Sequence, residues 1–276
     1  MPSVDTEGPL AGRVAVVTGA NHGIGAATAI ELARLGADVA VAYFAFTPDD
    51  HDEHRSDDYR RQRAQGADAV VAAIEGRGRR AAAISVDLRE PRGPTELVAA
   101  ATATLGPPSI LVNNASGWRK DSFVDGGLDA VGRPAVGMSA DTIDAQLLVD
   151  ARAGALLIAE LAASVRRHGL GWGRIVSLTS GGSNGFPGEV SYGAAKAALE
   201  NYTMSAASEL AADGITANVV YPPVTDTGWI TDAVRAFVAT SPEHTHVADP
   251  ADVAEVIGWL CTDAARLVSG TLVRLR

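Results

Sequence analysis

A glycine-rich segment, Thr18-Gly-Ala-Asn-His-Gly-Ile-Gly25, directly follows the apolar run Val14 to Val17. It opens an amphipathic stretch that ends at Leu35-Gly36, so it joins a predicted strand to a predicted helix. In that context, glycines let the backbone turn tightly and approach a pyrophosphate, whose charge is stabilised by the amides at the helix N-terminus. A glycine-rich turn alone has little specificity, but the flanking strand and helix predict a dinucleotide-binding loop.

The rest of the chain continues this alternation of apolar strand runs and alanine-rich helical segments. The alternation predicts βαβ units around a buried parallel sheet. The 276 residues contain no internal repeat and no linker, which predicts a single domain over residues 1–276. We therefore expect an α/β fold, a doubly wound parallel sheet in a three-layer αβα arrangement, with its ligand at the carboxyl ends of the strands.

A second motif, Tyr192-Gly-Ala-Ala-Lys196, places a phenol and an ammonium group one helical turn apart. The segment from Ser191 to Leu210 is a predicted helix because it is rich in Ala, Leu and Glu, lacks Pro and is followed by Gly214. A free tyrosine hydroxyl has a pKa of about 10, which a neighbouring cation lowers. An isolated pair of this kind is usually an ordinary surface contact, but the other motifs favour an acid/base device.

Two further predicted strands end in polar residues. Ile110-Leu-Val-Asn-Asn-Ala-Ser116 ends in amides that can bond neighbouring loops and a ribose, although Asn-Asn alone is merely a turn signal. Arg174-Ile-Val-Ser-Leu-Thr-Ser180 ends in hydroxyl groups shortly before Tyr192. A hydroxyl at that position can donate a hydrogen bond to a carbonyl oxygen.

In this order, the four motifs resemble those of the short-chain dehydrogenase/reductase family, in its single-domain branch with a TGxxxGxG loop and a YxxxK active site. The resemblance runs from Arg13 to the strand near Leu272, and it implies a Rossmann fold, a homotetramer or homodimer, and hydride transfer between NAD(P) and a carbonyl or alcohol. It also implies that Tyr192 is the acid/base, that Lys196 lowers its pKa and holds the ribose, and that a Ser orients the substrate oxygen. The positions that match the family's cofactor site are Gly19, Asn21, His22, Gly23, Ile24, Gly25, Tyr43, Phe44, Asp87, Leu88, Asn114, Ala115, Tyr192, Lys196, Pro222, Thr225 and Thr227.

Among these matches, Asp87 corresponds to the acid that usually meets the adenine. Asn114 and Ala115 correspond to positions that line the ribose, whereas Asn113 is expected to be a structural tie between strands. Two departures lie near this expected cofactor site. The Asn-Asn-Ala-Gly motif ends in Ser116, and the usual Pro-Gly after the sixth strand is Pro222-Pro223, which removes a flexible residue and a backbone donor.

Two departures concern catalysis. The family's fourth catalytic position, an Asn that helps to hold a water in the proton relay, falls on Asp150. An Asp can accept the same hydrogen bonds but adds negative charge beside Lys196. The spacing to the active-site Tyr selects Thr179 as the catalytic hydroxyl, whereas strand alignment selects Ser180, and we select Ser180.

The end of the second strand bears on the choice of cofactor. An Asp there would bind the adenosine ribose and a basic residue would favour the phosphorylated form, but Val39-Ala-Val-Ala-Tyr43-Phe44 supplies neither. The missing Asp disfavours strict use of NAD, and His22, with Arg55 or Arg60, could meet a 2'-phosphate. We expect NADP, with NAD as the alternative.

Two insertions extend the predicted loops. The polar segment from Phe46 to Gly66 contains His51 and His54, but it lacks rigid ligand spacing, so we expect a solvated loop and no metal site. The second expansion, Ser116 to Asp141, lies at the nicotinamide end and can shape the substrate mouth. It adds Trp118, Arg119, Lys120 and Phe123.

The substrate lid is expected at about residues 228–249, after the sixth strand. An apolar helix face there, with Trp118 and Phe186 opposite, would favour a hydrophobic or ring-bearing ketone, although the same residues could simply pack the lid. Arg119 and Lys120 could instead bind a carboxylate or a carrier-linked phosphate, as in an oxoacyl carrier-protein reductase. The residues expected on the apolar lid face are Trp229, Ile230, Val234 and Phe237.

Composition sets the remaining expectations. The formal charge of -10 disfavours nucleic acid or an anionic membrane as a partner. The single Cys261 fits a reducing compartment, and the sequence shows neither an export signal nor a membrane-length apolar run, so we expect a cytoplasmic protein. The leading interpretation is an oxidoreductase. The alternative is a nucleotide-binding sensor or partner protein that has lost efficient chemistry, as Asp150 and Pro223 would allow.

Overall fold

The computed structural model describes residues 8–44, 65–128, 133–181, 185–241 and 246–276. Within these ranges, seven parallel strands form one sheet in the order β3-β2-β1-β4-β5-β6-β7. Their bounds are β1 (Val14–Thr18), β2 (Asp38–Tyr43), β3 (Ala81–Ser85), β4 (Ile110–Asn113), β5 (Gly173–Leu178), β6 (Ile215–Tyr221) and β7 (Leu272–Arg274). The strands β1, β2, β4 and β5 are buried almost throughout, as their apolar sequences predict.

Helices cover both faces of the sheet. They are α1 (Gly23–Arg34), α2 (Asp68–Glu75), α3 (Gly93–Leu105), α4 (Ala140–Gln146), α5 (Gly154–Arg167), α6 (Val190–Glu209), α7 (Asp232–Thr240) and α8 (Pro250–Leu260). A π-helix (Leu147–Ala153) joins α4 to α5, and short 3-10 helices lie at Ala211–Asp213 and Asp263–Ala265. No helix in the described ranges is both long and apolar enough to cross a membrane.

Two apolar clusters confirm the three-layer arrangement. One contains buried residues of α1 and α8, such as Leu32 and Ile257, and the other contains buried residues of α3 and α5, such as Leu97 and Leu161. The order of the strands reverses at β1, which pairs with β2 on one side and β4 on the other. The carboxyl ends of β1 and β4 therefore border a crevice at the topological switch point, where doubly wound folds bind their ligands.

Candidate active site

The glycine-rich loop between β1 and α1 is built as the sequence predicts. Gly19 and Gly23 have φ angles of 62° and 57°, in the left-handed region that favours glycine. A Cβ on Gly25 would lie 2.3 Å from the carbonyl oxygen of Gly19, so no side chain fits there. These conformations bring the backbone of the loop to the N-terminus of α1.

The N-terminus of α1 suits an anion. Its N-cap residue, His22, makes no side-chain hydrogen bond to the first turn, and that turn contains no acidic residue. The His22 ring instead contacts the side-chain oxygen of Asn21 at 3.1 Å, while the Asn21 amide donates to the carbonyl oxygen of Gln65 at 3.0 Å. The backbone amides of a helix end arranged in this way fit the pyrophosphate of a dinucleotide.

The end of β4 is tied to this loop. The Asn114 amide donates to the carbonyl oxygens of Thr18 (2.8 Å) and Gly19 (3.1 Å), and the Thr18 hydroxyl accepts hydrogen bonds from the backbone N–H groups of Asn114 and Ala115. Asn113 is the strand tie that the sequence predicts, since its amide donates to the Ser177 hydroxyl on β5 at 3.3 Å. These bonds fix the floor of the crevice.

The segment after β6 closes the other side of the crevice. A Cβ on Gly23 would lie 2.9 Å from the side chain of Thr227, so this segment lies against the start of α1. Thr225 is buried, and its hydroxyl donates a hydrogen bond to the carbonyl oxygen of Pro223. Pro223 directly follows Pro222. Thr227 therefore lies beside the glycine loop, and the Thr225 hydroxyl braces the segment that carries it.

The opposite end of the crevice, beyond β2 and β3, holds a cation that the sequence interpretation missed. Arg89 makes an ion pair with Asp87 at 2.7 Å, and its guanidinium lies 5.4 Å from the ring centroid of Phe44, the residue after β2. Burial favours a raised pKa for Asp87, but hydrogen bonds from Arg89 outweigh it and lower the pKa. The Leu88 side chain packs in the core.

Tyr192 and Lys196 lie in the first two turns of α6, and Lys196 is 2% exposed. The Lys196 Nζ lies 5.6 Å from the centroid of the Tyr192 ring and forms an ion pair with Asp150 at 2.9 Å. The other carboxylate oxygen of Asp150 accepts a hydrogen bond from the backbone N–H of Gly117 at 2.8 Å. Asp150 therefore joins α6 to the loop after β4 from within the π-helix.

The two candidate hydroxyls at the end of β5 differ in their surroundings. Thr179 is buried, and its hydroxyl donates to the Glu200 carboxylate on α6. Ser180 is half-buried and follows directly. The hydrogen bond of Thr179 to Glu200 supports our choice of Ser180 as the hydroxyl that orients a substrate.

Two aromatic side chains lie near the start of α6. The rings of Phe186 and Tyr192 lie 6.0 Å apart between centroids. The Trp118 indole donates to the Glu189 carboxylate at 2.7 Å, and Arg133 contacts the other oxygen of that carboxylate at 3.1 Å. These contacts place Trp118 of the second insertion beside the start of α6.

Comparison with known proteins identifies the family of this chain and its type of reaction. The family model described as enoyl-(acyl carrier protein) reductase matches residues 19–275. This chain is a member of the short-chain dehydrogenase/reductase family. It is an NAD(P)-dependent oxidoreductase with a Rossmann fold.

Three similar proteins illustrate the family. The NADPH-dependent aldehyde reductase-like protein of Arabidopsis thaliana is 34% identical over 96% of this chain and 93% of its own length. The cis-4-hydroxycyclohexanecarboxylate dehydrogenase of Sinomonas cyclohexanicum is 34% identical over 95% of this chain and 94% of its own. The crystal structure of the angucycline C-6 ketoreductase LanV with bound NADP has a TM-score of 0.77 and 27% identity, covering 97% of this chain and 95% of LanV.

Several expectations about this dehydrogenase/reductase need correction. The lid helix α7 begins at Asp232, so Trp229 and Ile230 precede it and do not share a helix face with Val234. Thr231 caps α7, a start signal that the apolar pattern obscured. Val234 and Phe237 lie three positions apart on α7, so they share a face, of which Val234 is buried and Phe237 is exposed.

Other expectations concern charged groups and the thiol. Lys120 is buried, with its ammonium on the carbonyl oxygen of Pro134, so it ties its own loop together, which disfavours the alternative in which it binds a substrate anion. Cys261 lies just beyond α8, and burial raises the pKa of its thiol to about 12, so it is protonated at neutral pH. No metal-binding group of three or more side chains occurs in the described ranges, and His51, His54, Arg55 and Arg60 lie outside those ranges.

Proposed function

We propose that this protein is an NADPH-dependent reductase of ketones or aldehydes, with Tyr192 as the acid/base. The observation that carries the proposal is the line of contacts from the half-buried Tyr192 to the buried pair of Lys196 and Asp150, at the crevice that the glycine loop borders. A bound nicotinamide supplies or accepts the hydride. The residues of this chain supply the proton and the positions of the reacting groups.

In the proposed reduction, the Ser180 hydroxyl donates a hydrogen bond to the carbonyl oxygen and the Tyr192 hydroxyl transfers its proton to that oxygen. The ammonium of Lys196 stabilises the phenolate that remains. The Asp150 carboxylate contacts this ammonium directly at 2.9 Å, so it takes the place of the relay that an Asn and a water would form. The reverse sequence oxidises an alcohol through the same groups.

The preference for NADPH rests on Arg89. The chain has no acid at the end of β2, and the Arg89 guanidinium lies over Phe44 at that point. Arginine binds phosphate well because its planar fork can donate two hydrogen bonds at once. The proposal is that Arg89 meets the 2'-phosphate while Asp87 holds the guanidinium in place.

An apolar, ring-bearing carbonyl compound is the proposed substrate class. The Phe186 ring lies near Tyr192, Trp118 bonds Glu189 at the start of α6, and Trp229 on the segment after β6 donates from its indole to the carbonyl oxygen of Thr225. The alternative, an oxoacyl carrier-protein reductase, is less well supported because the buried Lys120 does not offer its charge to a carrier phosphate. The proteins similar to this chain include both an aldehyde reductase-like protein and a dehydrogenase of a cyclohexane ring alcohol.

We also propose a cytoplasmic homodimer or homotetramer. The buried, reduced Cys261 fits a reducing compartment, and Leu156 on α5 exposes 39% of its surface next to the active-site helices. Mass measurement in solution distinguishes the two assemblies.

The test is turnover of NADPH with a panel of aliphatic and ring-bearing ketones and aldehydes. Tyr192→Phe keeps the ring and removes the hydroxyl, so NADPH should still bind while turnover falls by at least about a hundredfold. Tyr202→Phe, on the same helix but 46% exposed, is the matched control and should retain activity. Binding of NADPH without turnover of any carbonyl compound would instead favour a sensor, and turnover by Tyr192→Phe would contradict the proposed acid/base.

A further inference from the structure

Asp121 is a fully buried acid outside the group of residues discussed so far. It lies in the loop between β4 and α4 and is 0% exposed. One carboxylate oxygen accepts a hydrogen bond from the backbone N–H of Ser191 at 2.8 Å, and the other accepts one from the Thr142 hydroxyl at 3.0 Å. A buried carboxylate needs such partners, and these two belong to different helices, α6 and α4.

The N-terminus of α6 depends on this contact. The N-cap residue of α6, Glu189, makes no side-chain bond to the first turn, and that turn contains no acidic residue. The Glu189 carboxylate is instead occupied by Trp118 and Arg133. Asp121, which is 70 residues away in the sequence, therefore supplies the hydrogen-bond acceptor that a helix start favours.

The backbone reinforces the connection. The carbonyl oxygen of Asp121 accepts from the N–H of Val190 at 3.2 Å, and residues 121 and 189 form a parallel bridge. Two successive N–H groups of α6, those of Val190 and Ser191, are thus bound by one residue. The next residue along the helix is Tyr192.

We infer that Asp121 is a positioning residue for catalysis: by clamping the first turn of α6 to the loop after β4, it sets the position of the Tyr192 hydroxyl. This inference rests on the proposed role of Tyr192 as the acid/base. The clamp also fixes Trp118 relative to Tyr192, because Trp118 is three residues from Asp121 and Tyr192 directly follows Ser191, the residue that Asp121 binds. A small displacement of a reacting group lowers the rate of the chemical step more than it lowers the affinity for a ligand bound elsewhere.

The test compares Asp121→Ala with Asp121→Asn. The Ala variant removes both side-chain bonds. The Asn variant keeps both bonds, because its side-chain oxygen can accept from the N–H of Ser191 and its NH₂ can donate to the Thr142 hydroxyl. The Thr142 hydroxyl can then donate its own hydrogen to the carbonyl oxygen of Ser139, which lies 3.0 Å away. Asp144→Ala is the matched control, an exposed acid on α4 with an ordinary helical position.

We expect Asp121→Ala to lower kcat by at least about tenfold with an unchanged Kd for NADPH. The deuterium isotope effect on kcat, measured with deuterated NADPH, should rise because the chemical step becomes slower than product release. Asp121→Asn should recover most of kcat, and the control should match the wild type. A residue that merely stabilises the fold would lower the unfolding temperature without changing the isotope effect.

Three results would overturn the inference: wild-type kcat in Asp121→Ala, an unchanged isotope effect, or equal losses in the Ala and Asn variants. If Asp121→Ala does not fold, Thr142→Ala removes one of the two side-chain supports and should raise the isotope effect to a smaller extent. Wild-type behaviour of that variant would equally contradict the inference. Loss of turnover in Tyr192→Phe, measured first, shows that any such failure concerns Asp121 and not the proposed function.

Discussion

The buried ion pair of Lys196 and Asp150 is the most consequential contact at the scale of single residues. Both side chains are at most 2% exposed, and their charges are 2.9 Å apart. Replacing a buried pair by apolar groups is often harmless, but removing one partner leaves an uncompensated buried charge. The pair therefore has a measurable signature in stability that is independent of turnover.

We predict that Asp150→Asn and Lys196→Met each lower the free energy of unfolding by about 3 kcal/mol, because each leaves one charge without its partner. The double variant should be more stable than the sum of the single losses predicts, by at least about 1 kcal/mol. Urea unfolding of the cofactor-free protein measures all three. Asp144→Asn, which changes an exposed acid, should stay within about 0.5 kcal/mol of the wild type. Strict additivity of the two single changes would show that the charges do not interact.

At the scale of elements, the π-helix and the loop after β4 fit each other closely. A Cβ on Gly117 would lie 1.8 Å from the carbonyl oxygen of Ala145, which belongs to α4 just before the π-helix. The N–H of the same glycine binds Asp150. The backbone of this loop therefore approaches the helix to a distance that only glycine permits.

We predict that Gly117→Ala lowers the free energy of unfolding by about 1–3 kcal/mol, since the loop must move away from α4. That movement also breaks the bond to Asp150, so turnover should fall in the folded variant. Gly66→Ala is the control, because a Cβ there would meet no atom within 4 Å and the residue is exposed. Unfolding curves and initial rates of both variants test this prediction. A stable, fully active Gly117→Ala would contradict the close approach of Gly117 to the carbonyl oxygen of Ala145.

The sequence predicted the elements themselves well, because strands buried on both faces have continuous apolar sequences and α6 has strong helix formers without Pro. It placed Asp150 beside Lys196, but it did not reveal the π-helix that carries Asp150 or the hydrogen bond from the N–H of Gly117. Asp121 gave no local signal, since its partners lie 21 and 70 residues away. Arg89 did give one, since it is a basic residue two positions after Asp87, but its place beside Phe44 depends on the pairing of β2 with β3.

At the scale of the whole molecule, the crevice gathers residues from the ends of β1, β2, β3, β4, β5 and β6, so a bound cofactor stabilises much of the fold at once. Because ligand that binds the native state shifts the unfolding equilibrium by mass action, NADPH at 100 times its Kd adds about 2.7 kcal/mol. A gain of that size should raise the unfolding temperature by about 5–10 °C.

We predict a larger rise with NADPH than with NADH at equal concentration, and that Arg89→Ala removes most of this difference. The matched control is Arg92→Ala, whose side chain is 87% exposed and pairs with Glu96 on α3. Thermal unfolding followed by fluorescence measures all of these combinations. Equal rises in unfolding temperature with the two cofactors in the wild type would overturn the preference for NADPH. If Arg89→Ala keeps the wild-type difference between the two cofactors, residues other than Arg89 bind the 2'-phosphate.

The packing of α1 against α8 brings residues far apart in sequence into one cluster. Gly258 lets the two helices approach, since a Cβ there would lie 2.9 Å from the Leu35 and Glu31 side chains. During synthesis on the ribosome, the apolar side of α1 therefore cannot pack against α8 until more than 200 further residues have been added to the chain. At roughly 5–20 residues per second, this wait lasts on the order of ten seconds or more. Completion of this layer must follow translation of α8, so the nascent N-terminal half is the form of the protein that chaperones would protect.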